Sequence, residues 1–105
     1  MRELTSTELQ LVRFLLSGKS DARSVSEPVQ EMNDGGMGSL LFNGPSGRRY
    51  GSTLAEAEFH DADGTVVLVA LNLDTNGELF ELDIWKVDFS PLIRIPSPDQ
   101  ITITR

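Results

Sequence analysis

Glu56, Glu58, Glu81, Asp83 and Trp85 are the residues of this chain with most to offer chemically, since they set carboxylates beside its only tryptophan. Such a set suits a basic partner: carboxylates steer the encounter and an aromatic side chain anchors it. Like charges held together also raise the cost of ionisation, which a cation, a basic protein or solvent relieves. Carboxylates at a variable separation also have the makings of an acid and base pair of the glycoside-hydrolysis kind. A small hydrolase or lyase is therefore the alternative to a binding role. Ser39, His60 and Asp83 supply the residue types of a nucleophilic triad, but no G-x-S-x-G context surrounds the serine.

Whether those residues act together depends on which strand face carries them, and turn chemistry decides that. Asn76-Gly77 suits a two-residue type I′ loop, which sets Leu73 opposite Phe80, Leu71 opposite Leu82 and Val69 opposite Ile84. Asp61-Ala62-Asp63-Gly64 suits a three-residue loop with Gly64 left-handed, which sets Phe59 opposite Val67 and Ala57 opposite Val69. Together these registers place Ala55, Ala57, Phe59, Val67, Val69, Leu71, Leu73, Phe80, Leu82 and Ile84 on one face of a three-stranded sheet. The other face then carries the rows Glu58–Leu68–Trp85, Glu56–Ala70–Asp83 and Leu54–Asn72–Glu81.

With Val66, Leu68 and Ala70 beside Trp85, this second face holds more apolar surface than a wet face needs. The segment from Phe89 to Ile103 is the expected cover, with Arg48, Arg49 or Arg94 neutralising the carboxylates. A partner protein is the next expectation, and a second copy in a homo-oligomer the third.

The apolar face also needs a cover, and Leu4-Thr5-Ser6-Thr7-Glu8-Leu9 reads as a capping box that starts a helix. It should run to about Ser17 with Leu9, Val12, Leu15 and Leu16 as its apolar stripe, Gly18 ending it, and Ala55 and Ala57 allowing close approach. Lys19 to Pro28 reads as a loop. Short strands are expected over 29–32 and 38–42, and an edge strand over 101–104.

Composition removes several chemistries. The chain has no cysteine and a single histidine, so thiolate chemistry, disulfides and multi-histidine metal sites are excluded within it. No apolar run is long enough to span a bilayer and no signal peptide is read at the start, which gives a cytoplasmic expectation. A net charge of −7 opposes nucleic acid and anionic membrane and favours basic partners. No cofactor is expected. The cluster Gly35-Gly36-Met37-Gly38-Ser39 lacks the lysine and helix of a phosphate loop, and the turns at Asp61 and Asp74 lack a closing calcium-loop glutamate, having Asn72 and Trp85 there.

Two blocks, Glu31-Met32-Asn33-Asp34-Gly35-Gly36-Met37-Gly38-Ser39-Leu40 and GELFELDIWKVDFSPL from Gly77 to Leu92, together with the opening Arg2-Glu3-Leu4-Thr5, resemble a family of short bacterial proteins classed as a domain of unknown function. The resemblance implies no activity, cofactor or catalytic residue. Small acidic proteins of this build include immunity partners of toxins, an analogy of size and charge alone. The expectation is thus one α+β domain over residues 1–105, an N-terminal helix on a curved antiparallel sheet of cystatin-like outline. Its expected role is non-catalytic binding of a basic protein through Glu56, Glu58, Glu81, Asp83 and Trp85.

Overall fold

The computed structural model describes residues 1–19, 25 and 28–105, so most of the loop expected over 19–28 lies outside the described residues. Helix α1 (Ser6–Leu16) begins where its capping box demands. Thr5 Oγ1 accepts from the Glu8 N–H at 3.2 Å, and the Glu8 carboxylate accepts from the Thr5 N–H at 2.9 Å. Burial opposes ionisation of Glu8, but bonds from the Arg2 guanidinium and from Thr5 outweigh it, so the pKa lies below the ordinary carboxylate value. The buried stripe is Leu11, Val12 and Leu15, while Leu9 and Leu16 are only partly covered. The expected stripe is thus rotated toward Leu11, because the helix packs on the 3-10 turn Pro98–Gln100 as well as on the sheet.

The sheet has six strands, β1 (Val29–Glu31), β2 (Leu40–Phe42), β3 (Tyr50–His60), β4 (Val66–Asp74), β5 (Leu79–Lys86) and β6 (Thr102–Ile103), in the order β1-β2-β5-β4-β3-β6. Every neighbouring pair is antiparallel. With α1 on one face, this is the α+β architecture expected of the pattern.

The β3–β4 turn follows its chemistry. Gly64 is left-handed at φ 85° and donates its N–H to the Asp61 carbonyl, and Phe59 faces Val67 as Ala57 faces Val69. The β4–β5 turn departs from the type I′ expectation. Only Gly77 is left-handed there, at φ 81°, and its N–H reaches the Asp74 carbonyl at 3.0 Å. The Asp74 carboxylate accepts from the N–H groups of Asn76 and Glu78, at 2.9 and 3.0 Å, which favours the three-residue loop.

One residue more in that loop sets Leu73 opposite Leu79 instead of Phe80, and a bulge next to Asn72 takes up the slip. Leu71–Leu82 and Val69–Ile84 therefore stand as expected. Phe80 drops out of the inner face and lies half-buried with the Arg48 guanidinium 5.2 Å from its ring centre.

Ala55, Ala57, Phe59, Val67, Val69, Leu71, Leu82 and Ile84 form the core with the helix stripe and with Val29, Leu40, Phe42 and Ile101. The expected cover, Phe89 to Ile103, does not lie across the second face: only the Phe89 ring meets Trp85 there, Thr102–Ile103 pair along the edge of β3, and residues 91–101 turn away. They run over the core side, where Leu92 and Ile95 pack on the cluster and the Leu92 N–H bonds the Gly36 carbonyl at 3.0 Å. Gly36 is left-handed at φ 83° and passes close to Pro91: a Cβ would lie 3.3 Å from the Pro91 Cβ, tighter than an ordinary contact. The two sequence blocks meet at this contact.

Candidate functional site

The outer face is built by the pairings of β3, β4 and β5. Glu58 faces Leu68, which faces Trp85, and Glu56 faces Ala70, which faces Asp83. The third row is corrected: a bulge between Thr53 and Ala55 sets Thr53 opposite Asn72, and Leu54 packs against the core. Asn72 bridges that row, its Oδ1 accepting from Thr53 Oγ1 at 2.9 Å and its Nδ2 donating to Glu81 at 3.0 Å. The tight corners thus bring Glu56, Glu58, Glu81, Asp83 and Trp85 to one side of the sheet, away from α1.

This side is open. Leu68 is 37% exposed, Trp85 42% and Phe89 68%. The Trp85 and Phe89 rings lie 5.9 Å apart, tilted by 51°. Phe89 reaches that position from a left-handed backbone at φ 64°, the one non-glycine residue with positive φ among those described. A bulky side chain there costs free energy, and a ring that stays 68% exposed recovers little of it by burial. The turn is closed by the Phe89 N–H on the Lys86 carbonyl at 2.8 Å and by Asp88, whose carboxylate accepts from the Ser90 N–H at 3.0 Å.

The expected arginines do not neutralise this face. Arg48 bonds Asp74 at 3.2 Å and the carbonyls of Leu79 and Phe42, and Arg94 gives its backbone N–H to Asp61. Arg105 takes the role instead, pairing with Glu56 at 3.0 Å. Among the described residues, Glu58 and Asp83 have no cationic partner. Glu56 and Asp83 stand on strands two apart, roughly 10 Å at the backbone.

A buried ionic cluster on the inner face was not among the expected features. Lys86, only 1% exposed, holds Asp61 at 2.9 Å, Asp63 at 2.8 Å and the Pro91 carbonyl at 3.2 Å. The Asp61 carboxylate also accepts from the N–H groups of Ala62, Ile93 and Arg94, at 2.7, 2.9 and 3.1 Å. Burial alone would push the Asp61 carboxyl up, but the donors, Ile93 N–H and Lys86 foremost, hold it at about 2 against an ordinary 3.8. Asp63, against burial and with the help of Asp61, keeps the Lys86 ammonium above its ordinary pKa. Strand alternation carried the signal for this cluster: Asp61 continues the inward series Ala55, Ala57, Phe59, and Lys86 the series Leu82, Ile84.

Ser39 and the glycine loop serve structural hydrogen bonds, and Ser39 Oγ also lies 3.4 Å from Asp83 Oδ1. Ser39 Oγ accepts from the Ile84 N–H at 2.8 Å and lies 3.1 Å from the Ile84 carbonyl, so it joins strands. His60 is exposed at the end of β3 and lines a groove with Glu58, Val66 and Thr102. The glycine loop closes on its own Asp34, whose carboxylate accepts from the N–H groups of Met37 and Ser39 at 3.1 and 3.0 Å. Among the described residues no cluster of metal-ligating side chains occurs, and no helix is long and apolar enough to cross a membrane.

The molecule is thus an α+β protein whose sheet is covered on one face and open on the other, with aromatic and acidic side chains on the open face. Residues 1–96 match the model of a family described as a domain of unknown function, DUF6984, and the chain belongs to that family. No curated protein and no solved structure matches it.

Proposed function

We propose that this chain is a non-catalytic protein-binding module that receives a basic partner on the outer face of β3, β4 and β5. The observation that carries this reading is the Trp85–Phe89 pair, held in solvent by a backbone conformation that disfavours a bulky residue. A bulky aromatic residue at a left-handed position, left largely exposed, points to a use in binding. The apolar residues Val66, Leu68 and Ala70 continue the aromatic patch along β4, and Glu58 and Asp83 flank it on neighbouring strands. In this arrangement the tryptophan anchors and the carboxylates steer.

Paired-carboxylate catalysis draws less support. A general acid with a raised pKa needs an enclosed, water-poor setting, and these carboxylates stand on an open sheet face. The test is photo-crosslinking from position 68 in the native host, with position 10 on the exposed side of α1 as control, followed by affinity measurements on the captured partner. Capture specific to position 68, with affinity reduced about tenfold or more by Trp85→Ala or Asp83→Asn, supports the assignment. Unchanged affinity in both variants overturns it.

A further inference from the structure

We infer that the occupant of the outer face is an amphipathic helix of about three turns, whose apolar ridge is flanked by lysine or arginine; this rests on the binding reading above. The dimensions come from the sheet. The apolar stripe follows the central strand β4 from Val66 to Ala70, roughly 14 Å at the strand rise, and Trp85 with Phe89 widens it at one end. A helix covers that length with about nine or ten residues at 1.5 Å each. The carboxylates stand on β3 and β5, two strand spacings apart, or roughly 10 Å, which matches the roughly 10–12 Å diameter of a helix with its side chains. A helix seated on the stripe therefore brings its flanks over Glu58 on one side and Asp83 on the other.

Backbone chemistry separates a helix from an extended segment. A helix satisfies its own amides and can lie on an apolar stripe, whereas an extended segment needs a free sheet edge to pair with. The edges of this sheet are partly closed. β6 and Arg105 pair along one half of β3, bulges interrupt the other half, and Arg2 pairs with Val29 on β1. The opposite face already holds α1, so a helix here completes a sheet layered by helices on both sides. Charge argues against a second copy as occupant: stacking two such faces brings acidic side chains together in chains of net charge −7.

The test uses the full chain and the emission of Trp85, its only tryptophan. Three synthetic peptides of about 14 residues share one leucine and lysine composition. In the first, the leucines form a helical ridge; in the second, they are scattered around the helix; in the third, they alternate as in a strand. The expected result is a saturable blue shift of Trp85 with the first, at an affinity about tenfold tighter than with the other two. The double variant Glu58→Gln/Asp83→Asn should weaken it about tenfold, while Glu3→Gln/Asp99→Asn, the same charge removed elsewhere, changes it less than about twofold.

Stronger binding of the alternating peptide overturns the helix and leaves the binding reading standing. An unchanged emission with all three, while crosslinks from position 68 persist, also overturns the helix. If those crosslinks join two copies of this chain and sedimentation shows a dimer, the second copy is the occupant instead. Failure of the binding reading is seen separately, as unchanged affinity for the captured partner in the Trp85 and Asp83 variants.

Discussion

Removing the Asp61 carboxylate is the sharpest test of how this fold holds its C-terminal segment. Four donors converge on that group: the N–H groups of Ala62, Ile93 and Arg94, and the Lys86 ammonium. In Asp61→Ala all of them lose that acceptor at a site where Asp61 is only 4% exposed. Breaking a buried ion pair from one side costs about 3–5 kcal/mol. Lys86 retains Asp63 at 2.8 Å and the Pro91 carbonyl at 3.2 Å, which places the loss near the lower bound, about 3 kcal/mol. At roughly 4–8 °C per kcal/mol for a chain of this size, the midpoint of thermal unfolding should fall by at least about 12 °C.

Asp61→Asn keeps one acceptor oxygen but no charge, and should lose about 1–3 kcal/mol. Denaturant unfolding followed by circular dichroism gives these values, and hydrogen exchange should accelerate first at the Ile93 and Arg94 amides. The pH dependence has a definite sign. The Asp61 carboxyl sits at about 2 in the fold against 3.8 ordinarily, so the unfolded chain takes up the proton first. Its contribution is present above pH 3.8 and fades as pH falls toward 2. Adding Lys86→Met to Asp61→Ala should cost less than the sum of the two, because they share one interaction. A loss below about 1 kcal/mol in Asp61→Ala, with Ile93 and Arg94 exchange unchanged, would refute the anchoring of the C-terminal segment by Asp61.

Other variants probe separate links. Phe89→Asn should leave the unfolding midpoint unchanged or raised, since relief of left-handed strain, about 1–2 kcal/mol, offsets the loss of an exposed ring contact; a fall beyond about 5 °C would show that the ring supports the fold. Gly51→Ala should destabilise by about 1–3 kcal/mol, because a Cβ there runs into the Asp74 carbonyl and lies 2.9 Å from the Thr75 Cα. Gly18→Ala, with nothing within 4 Å, serves as the sterically free control in the same denaturant titration and should be unchanged or stabilised by up to about 1 kcal/mol. Thr5→Ala should cost about 1 kcal/mol by removing the α1 cap, read as an equal change in unfolding free energy and faster exchange in the first helical turn.

How much was legible in the chain depends on how local each interaction is. The start of α1 is written in six consecutive residues, and its capping box forms as read. Alternation along β3, β4 and β5, together with an Asp-x-x-Gly corner, sorts Ala57, Val69 and Ile84 inward and Glu56, Asp83 and Trp85 outward, since side chains on a strand alternate whatever lies beyond it. The second corner differs from the type that Asn-Gly favours because the Asp74 carboxylate, two residues ahead of Asn76, outweighs that local preference. The β4–β5 pairings beyond it keep their expected register through a compensating bulge at Asn72, which no local pattern announces.

Everything outside this local code belongs to the three-dimensional arrangement. Residues 89–101 have no periodicity that chooses a face, and either side of the sheet offered them apolar surface. The choice is made by groups distant in the chain: Asp61 draws the Ile93 and Arg94 amides, Lys86 the Pro91 carbonyl, and Gly36 leaves room for Pro91. Buried polar groups must find partners, and the nearest ones lie on the core side. The amino-acid pattern thus sorted the strand side chains between the two faces, while long-range hydrogen bonding and packing left the face of Trp85 open.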